Sequence, residues 1–227
     1  MGFLRKSLTI GAIPLVVMYF VLPVLFFMLP AVMQHIFFLN FVKIPFTKYS
    51  NLSDHGVRSI GRNFYLTFDQ HSIGAWHVLP SEVSAIFDVR PNDSEIEALL
   101  SSSGHPIIIY LHGNSFDRAG YHRCELYNVL ADQQFHVISI DYSGYGDSTG
   151  SPTEEGIVSD AHRIYKYAME FSKQNNVPVY VWGHSMDVML NHPFSGPYRW
   201  IPILDFLLVE PLRTAGLVMN TDERIAQ

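Results

Sequence analysis

Hydrophobic and polar positions divide this chain into three stretches of different character. From Leu8 to Met33 no charged residue occurs, a run longer than the ~20 residues that cross a bilayer as a helix. The pattern predicts a transmembrane helix over 8–33 behind a short N-terminal segment, 1–7, with Pro14, Pro23 and Pro30 as tolerated kinks. A cleaved secretory signal competes, because Arg5 and Lys6 precede the run. Its apolar core spans only about 7–15 residues, however, and no small-x-small cleavage site is evident. Residues 34–46 then mix Phe37, Phe38 and Phe41 with Lys43, as chains at a membrane surface do.

A globular domain is expected over 47–227. Asn63–Phe68 and Ile73–Leu79 read as a strand hairpin, and 81–104 as a polar surface loop with a helical turn at Glu95–Leu100. From Pro106 onward apolar runs alternate with helical stretches, which implies parallel strands joined by crossover helices. Pro106–Leu111, Phe135–Ile140 and Pro178–Trp182 lack polar alternation, as strands covered on both faces do. Tyr121–Gln133 reads as a helix. Ser151-Pro152-Thr153-Glu154 has the capping-box arrangement ahead of a second helix carrying Ile157, Ala161, Ile164, Ala168 and Phe171 at helical spacing. Past residue 185 the pattern degrades into the proline- and aromatic-rich stretch 192–202.

The fold expected is therefore α/β, a doubly wound and mostly parallel sheet preceded by one membrane helix. With 227 residues, 48% of them hydrophobic, the chain has room for one sizeable domain. A net charge of −6 without a basic run makes nucleic acid a poor partner, and the apolar run makes lipid and membrane the expected ones. The single Cys124 forms no intrachain disulfide. Lysine and arginine counts on the two sides of the run tie. The sequons Asn51-Leu52-Ser53 and Asn92-Asp93-Ser94 favour a cytosolic N-terminus and a lumenal domain, although such tripeptides also arise by chance in polar loops.

The candidate chemistry lies at Gly183-His184-Ser185, where a β run breaks into a turn. A nucleophile elbow G-x-S-x-G lifts the serine hydroxyl on a sharp strand-to-helix turn; here the second glycine is replaced by Asp187. His112-Gly113-Asn114 follows an earlier strand, where this fold takes its other oxyanion donor. Ser185 is the candidate nucleophile, and the backbone N–H groups of Asn114 and Met186 are the candidate oxyanion donors. His112 reads as shaping its loop rather than as a base. His192 is the only histidine after Ser185, with Asp187, Asp205 and Asp222 the only aspartates. None makes a triad, because Asp187 and His192 crowd one short segment and the other two follow the histidine. Two H-x4-D spacings, His112 to Asp117 and His136 to Asp141, show by their duplication how cheap that pattern is. No metal-ligand spacing or phosphate loop stands out, and no cofactor is expected.

FLNFVKIP, IGAWHVLP, HPIIIYLHGN, the run from His122 to Glu154, VPVYVWGHS and HPFSGPYRW together resemble the membrane-anchored α/β-hydrolases that act as lysophosphatidylserine and monoacylglycerol lipases. The resemblance runs from about Phe38 to Asn220. It implies an incomplete α/β-hydrolase fold and an enzyme of the endoplasmic reticulum membrane, single-pass with a lumenal domain, cleaving such lipids through an acyl-enzyme on Ser185. It also implies that tens of residues are missing between Met186 and Asn191, and that the triad Asp and His belong beyond Glu223. The alternative is a catalytically inactive form of such a lipase. Ser143 stands where the family often has arginine, which removes a possible ion pair from that turn.

Overall fold

The computed structural model describes residues 17–21, 24, 28, 38–68 and 71–184. Two compact units are present, one of residues 38–189 and one of residues 1–37 with 190–227; nearly all described residues belong to the first. Its strands are β1 (Gly61–Phe68), β2 (His71–Val78), β3 (Ile107–Leu111), β4 (His136–Ile140) and β5 (Val179–Gly183). Their order is β1-β2-β4-β3-β5, with β1 and β4 antiparallel to β2, and β4 and β5 parallel to β3. The hairpin and the three apolar runs form strands within a few residues of the expected bounds.

Helices α1 (Ser81–Ala85), α2 (Asp93–Ser102), α3 (Tyr121–Asp132) and α4 (Glu154–Asn175) surround the sheet. α3 covers one face, where Trp76, Val78, Ile108, Tyr110 and Val137 meet Cys124, Tyr127 and Ala131 in the main core. Trp76 is held there by donating its indole N–H to the Tyr49 carbonyl at 2.9 Å. α4 packs on β3 and β5 from the opposite face and against α2, burying Ile164 and Ala168. All five residues of β3 and of β4 are buried, which accounts for their lack of polar alternation.

Two local expectations shift. The stretch 81–104 is not a loop with one turn but holds α1 and α2, the latter opened by a complete capping box. The Asn92 side chain accepts from Glu95 N–H and the Glu95 carboxylate accepts from Asn92 N–H. α4 starts two residues later than a Ser151 cap implies: Thr153 is its N-cap, accepting Gly156 N–H on Oγ1 at 2.9 Å. Asn51 and Asn92, the two sequon asparagines, are both exposed.

The transmembrane helix expected over 8–33 is not found. No helix among the described residues is long and apolar enough to cross a membrane. Within that stretch the described residues are a five-residue π-helical turn, Val17–Val21, with Val24 and Met28; the others lie outside the described residues. A crossing needs ~20 residues of unbroken helix. The single-pass topology, with its endoplasmic reticulum location and lumenal domain, falls with the helix.

Candidate active site

The parallel strands β3, β4 and β5 end together, and their C-terminal ends carry the loops 112–120 and 141–150 and the pair Gly183-His184. Loops at this end of an open α/β sheet form its ligand crevice. Register sets Leu111 beside Gly183, and His184 donates its backbone N–H to the Leu111 carbonyl at 3.0 Å. The His112-Gly113-Asn114 turn and the first two residues of the elbow are thus neighbours. His184 also places Nδ1 3.3 Å from the Tyr110 hydroxyl. Ser185, Met186, Asp187, His192, Asp205 and Asp222 lie outside the described residues.

Loop 112–120 holds two consecutive non-glycine residues in the left-handed region, Ser115 at φ 67° and Phe116 at φ 56°. Such conformations persist only where the surroundings over-determine them. Here the buried Arg123 of α3 does so. Its guanidinium donates to the carbonyls of Asp117 (2.5 Å), Ser115 (2.8 Å) and Gly113 (3.3 Å), gathering alternate carbonyls of the loop on one cation. Phe116 N–H adds a bond to the Val42 carbonyl at 3.2 Å. The Asn114 side-chain oxygen accepts from Ser115 N–H at 3.0 Å and lies 2.9 Å from the Tyr145 hydroxyl.

Residues 38–46 cross both loops: Lys43 donates to the Gly146 carbonyl at 3.0 Å, and the Tyr145 hydroxyl donates to the Phe38 carbonyl. Gly146, at φ 49°, is required, because a Cβ there would stand 2.0 Å from Oδ2 of Asp141.

Beneath the loops, Arg118 is fully buried and pairs with both Asp141 and, at 2.7 Å, Asp147, while donating to Asn63 at 2.7 Å. Its guanidinium lies over the Tyr49 ring at 4.0 Å. Arg118, from the neighbouring loop, is thus the cation that pairs with the carboxylates of Asp141 and Asp147 in the glycine-rich turn. Ser143 donates its N–H to the buried Asp160 at 2.8 Å. Burial pushes the Asp141 carboxyl up to about 6 against the pull of Arg118.

His112 is fully buried between Tyr142 and Tyr145, with Nδ1 2.7 Å from the Gly113 carbonyl and Nε2 3.4 Å from Asp141. Burial and then the Arg123 charge hold it down to about 3. Neither H-x4-D spacing joins its own two residues: His112 meets Asp141, one member of each, while His136 bonds to His77 and Ser103.

The polar residues that shape this end of the sheet, Arg118, Arg123, Tyr145 and Asp147, carry no motif signal. Each stands singly in a polar or glycine-rich stretch, and only the folded chain turns it inward.

Residues 106–186 match the family described as the alpha/beta hydrolase fold. The Lysophosphatidylserine lipase ABHD12 of Gallus gallus is 34% identical over 242 residues, covering 91% of this chain and 62% of that protein. Over the span that aligns, the chain is homologous to these lipases, and its residues 106–186 carry the α/β-hydrolase match. The human Protein ABHD12B is 40% identical over 234 residues, covering 87% of this chain and 62% of its own length. The chain thus spans less than two thirds of the length of the curated relatives it matches. An alignment of 242 positions met by 91% of 227 residues leaves tens of the relative's positions without a counterpart. Among solved structures, an esterase of Pyrococcus furiosus overlaps at a TM-score of 0.42 and 16% identity, over 62% of this chain and 44% of that one.

Proposed function

We propose that these 227 residues constitute a non-catalytic α/β-hydrolase derived from a lipid ester hydrolase, able to hold a single-chain lipid ester but not to turn it over. The observation that carries this is the state of β5. It leads directly into the Gly183-His184-Ser185 elbow, yet Tyr180, Val181 and Trp182 are 52, 54 and 44% exposed. A strained nucleophile turn needs packing around it to persist, and here the strand that bears it stands half exposed although α4 packs against it. His112 gives no substitute base, being buried and held neutral. No Asp and His follow Ser185 in usable order in this sequence.

What the chain retains of the reaction is the oxyanion side. In the parent reaction the backbone N–H groups of Asn114 and Met186 would be the oxyanion donors, and Arg123 holds the carbonyls of the loop that carries Asn114. Ser185 would be the nucleophile of the parent reaction, in which it attacks the acyl ester and a histidine takes its proton. Homology to the lysophosphatidylserine lipases favours lysophospholipids as the substrate class, to which the sequence resemblance adds monoacylglycerols.

A fluorophosphonate probe tests the reading, because it reacts only with an activated serine. The Gallus relative, run in parallel, should label strongly and this chain weakly or not at all. Strong labelling that Ser185→Ala abolishes would show a working site and overturn the proposal.

A further inference from the structure

The sheet is finished differently at its two edges. At β1, Arg90 lays its guanidinium on the outward carbonyl of Gly61, at 3.0 Å from Nη2 and 3.2 Å from Nε. Charged side chains on an edge discourage pairing with other strands. Val179–Gly183 at the opposite edge reads VYVWG, with no charge, no proline and no bulge. It has no partner strand on its outer side among the described residues.

The free edge can be read atom by atom. Ile107 donates to the Pro178 carbonyl at 2.9 Å, and His184 donates to Leu111 at 3.0 Å. Backbone polarity alternates along a strand, so the even positions from 178 to 184 turn toward β3. Val179, Val181 and Gly183 therefore turn both N–H and C=O away from the sheet. These outward groups are evenly spaced and centred on Val181.

We propose that β5 pairs with β5 of a second copy of this chain, antiparallel about a two-fold axis through Val181. In that register Val181 faces its own counterpart and Val179 faces Gly183, so every outward N–H meets an outward C=O. Shifting the register leaves at least one outward pair facing nothing. The same register sets Tyr180 opposite Trp182 in the close, non-hydrogen-bonded positions, where aromatic cross-strand pairs are favourable. No like charges meet. A copy of the chain is the fitting occupant because the segment is complementary to itself in hydrogen bonding and in aromatic pairing and carries no charge to oppose its own copy. The pairing is also closed, since it consumes the edge that makes it and stops at two copies.

The test is sedimentation equilibrium of the full chain combined with amide hydrogen exchange. Wild type should sediment as a dimer and protect the amides of Val179, Val181 and Gly183. Val181→Pro removes an outward donor without deleting a bond to β3, and Val181→Lys sets two like charges at the axis. Both should sediment as monomers that lose protection at the outward amides while Tyr180 and Trp182, bonded to β3, keep theirs. If the proline variant loses protection at Tyr180 and Trp182 as well, the sheet itself has opened and the lysine variant decides. A monomeric wild type, a dimer that survives in the lysine variant, or a wild-type assembly that grows beyond two copies would each overturn the proposal.

Discussion

Three histidines are buried without charge, and the geometry of two of them explains why. His77 Nε2 lies 3.0 Å from His136 Nδ1, and His136 Nε2 lies 2.7 Å from the Ser103 hydroxyl, while His77 Nδ1 has no partner among the described residues. A proton on that nitrogen would be a buried, unpaired donor, so the bare nitrogen belongs there. His77 then donates from Nε2, and His136 donates from Nε2 toward Ser103. Protonating either ring would set two N–H groups, or a buried unpaired donor, in an apolar site. Burial and then each ring's neighbours hold His77 well below its ordinary value and His136 down to about 3, as His112 is. The unfolded chain takes up these protons from about 6.5 downward and the folded chain does not, so stability is full above that pH and is lost progressively as pH falls toward 3. Asp141 and Asp160, raised by burial, work in the opposite sense over the carboxylate range and reduce the slope without reversing it. Urea midpoints should fall between about pH 6.5 and 5, and the double variant His77→Gln with His136→Gln should show a shallower fall. A midpoint that holds steady or rises over that range would refute the assignment. At this scale the sequence marked only residues that belong to motifs. His112 was legible because it sits in the HG turn, whereas Arg118 and Arg123 look like ordinary surface cations until tertiary structure buries them.

Strands were the most legible elements, because apolar runs without alternation demand two covered faces. That reasoning held for β3 and β4 and failed for β5, whose composition is that of a covered strand although its surroundings are not. Composition records what a segment needs, and only the sheet order shows whether it is met. α2 is legible only as the turn Glu95–Leu100, short of its full length Asp93–Ser102, for a different reason. Asn92 and Glu95 carry the N-x-x-E signature of a capping box, but Asn92-Asp93-Ser94 also reads as a sequon, and the acidic, serine-rich composition around it reads as loop. The cap should be worth about 1 kcal/mol. Asn92→Ala is therefore expected to lower the unfolding free energy by roughly that amount, and Asn92→Asp to keep most of it. Equal urea midpoints for Asn92→Ala and wild type would show that α2 is held by Ile96 and Leu100 alone. The overlap also matters for testing the sequon: Ser94→Ala removes it while leaving the cap, whereas Asn92→Gln removes both.

For the whole molecule, the half-exposed strand β5 and the end of the family match fall on one stretch of chain. The match to the family ends at residue 186, and the resemblance resumes at His192-Pro193-Phe194-Ser195. A doubly wound sheet that continued past this strand would cover β5. If the missing block is the cause of the exposure, supplying it should reverse the consequences that depend on cover and leave untouched those that depend on chemistry. A chimaera carrying the corresponding segment of the Gallus relative between Met186 and Asn191 is expected to bury β5 and to sediment as a monomer, because the outward groups of Val179, Val181 and Gly183 gain an internal partner. It should also unfold at higher denaturant. Covering even ~200 Å2 of apolar surface contributes on the order of 5 kcal/mol at ~25 cal/mol per Å2, a large share of the stability of a domain. Fluorophosphonate labelling should nonetheless stay weak, since the block brings cover for the elbow but not the histidine that activates its serine. Strong labelling of the chimaera would mean that the base lies within the inserted block, and an unchanged oligomer with β5 still exchanging freely would mean that the exposure has another cause.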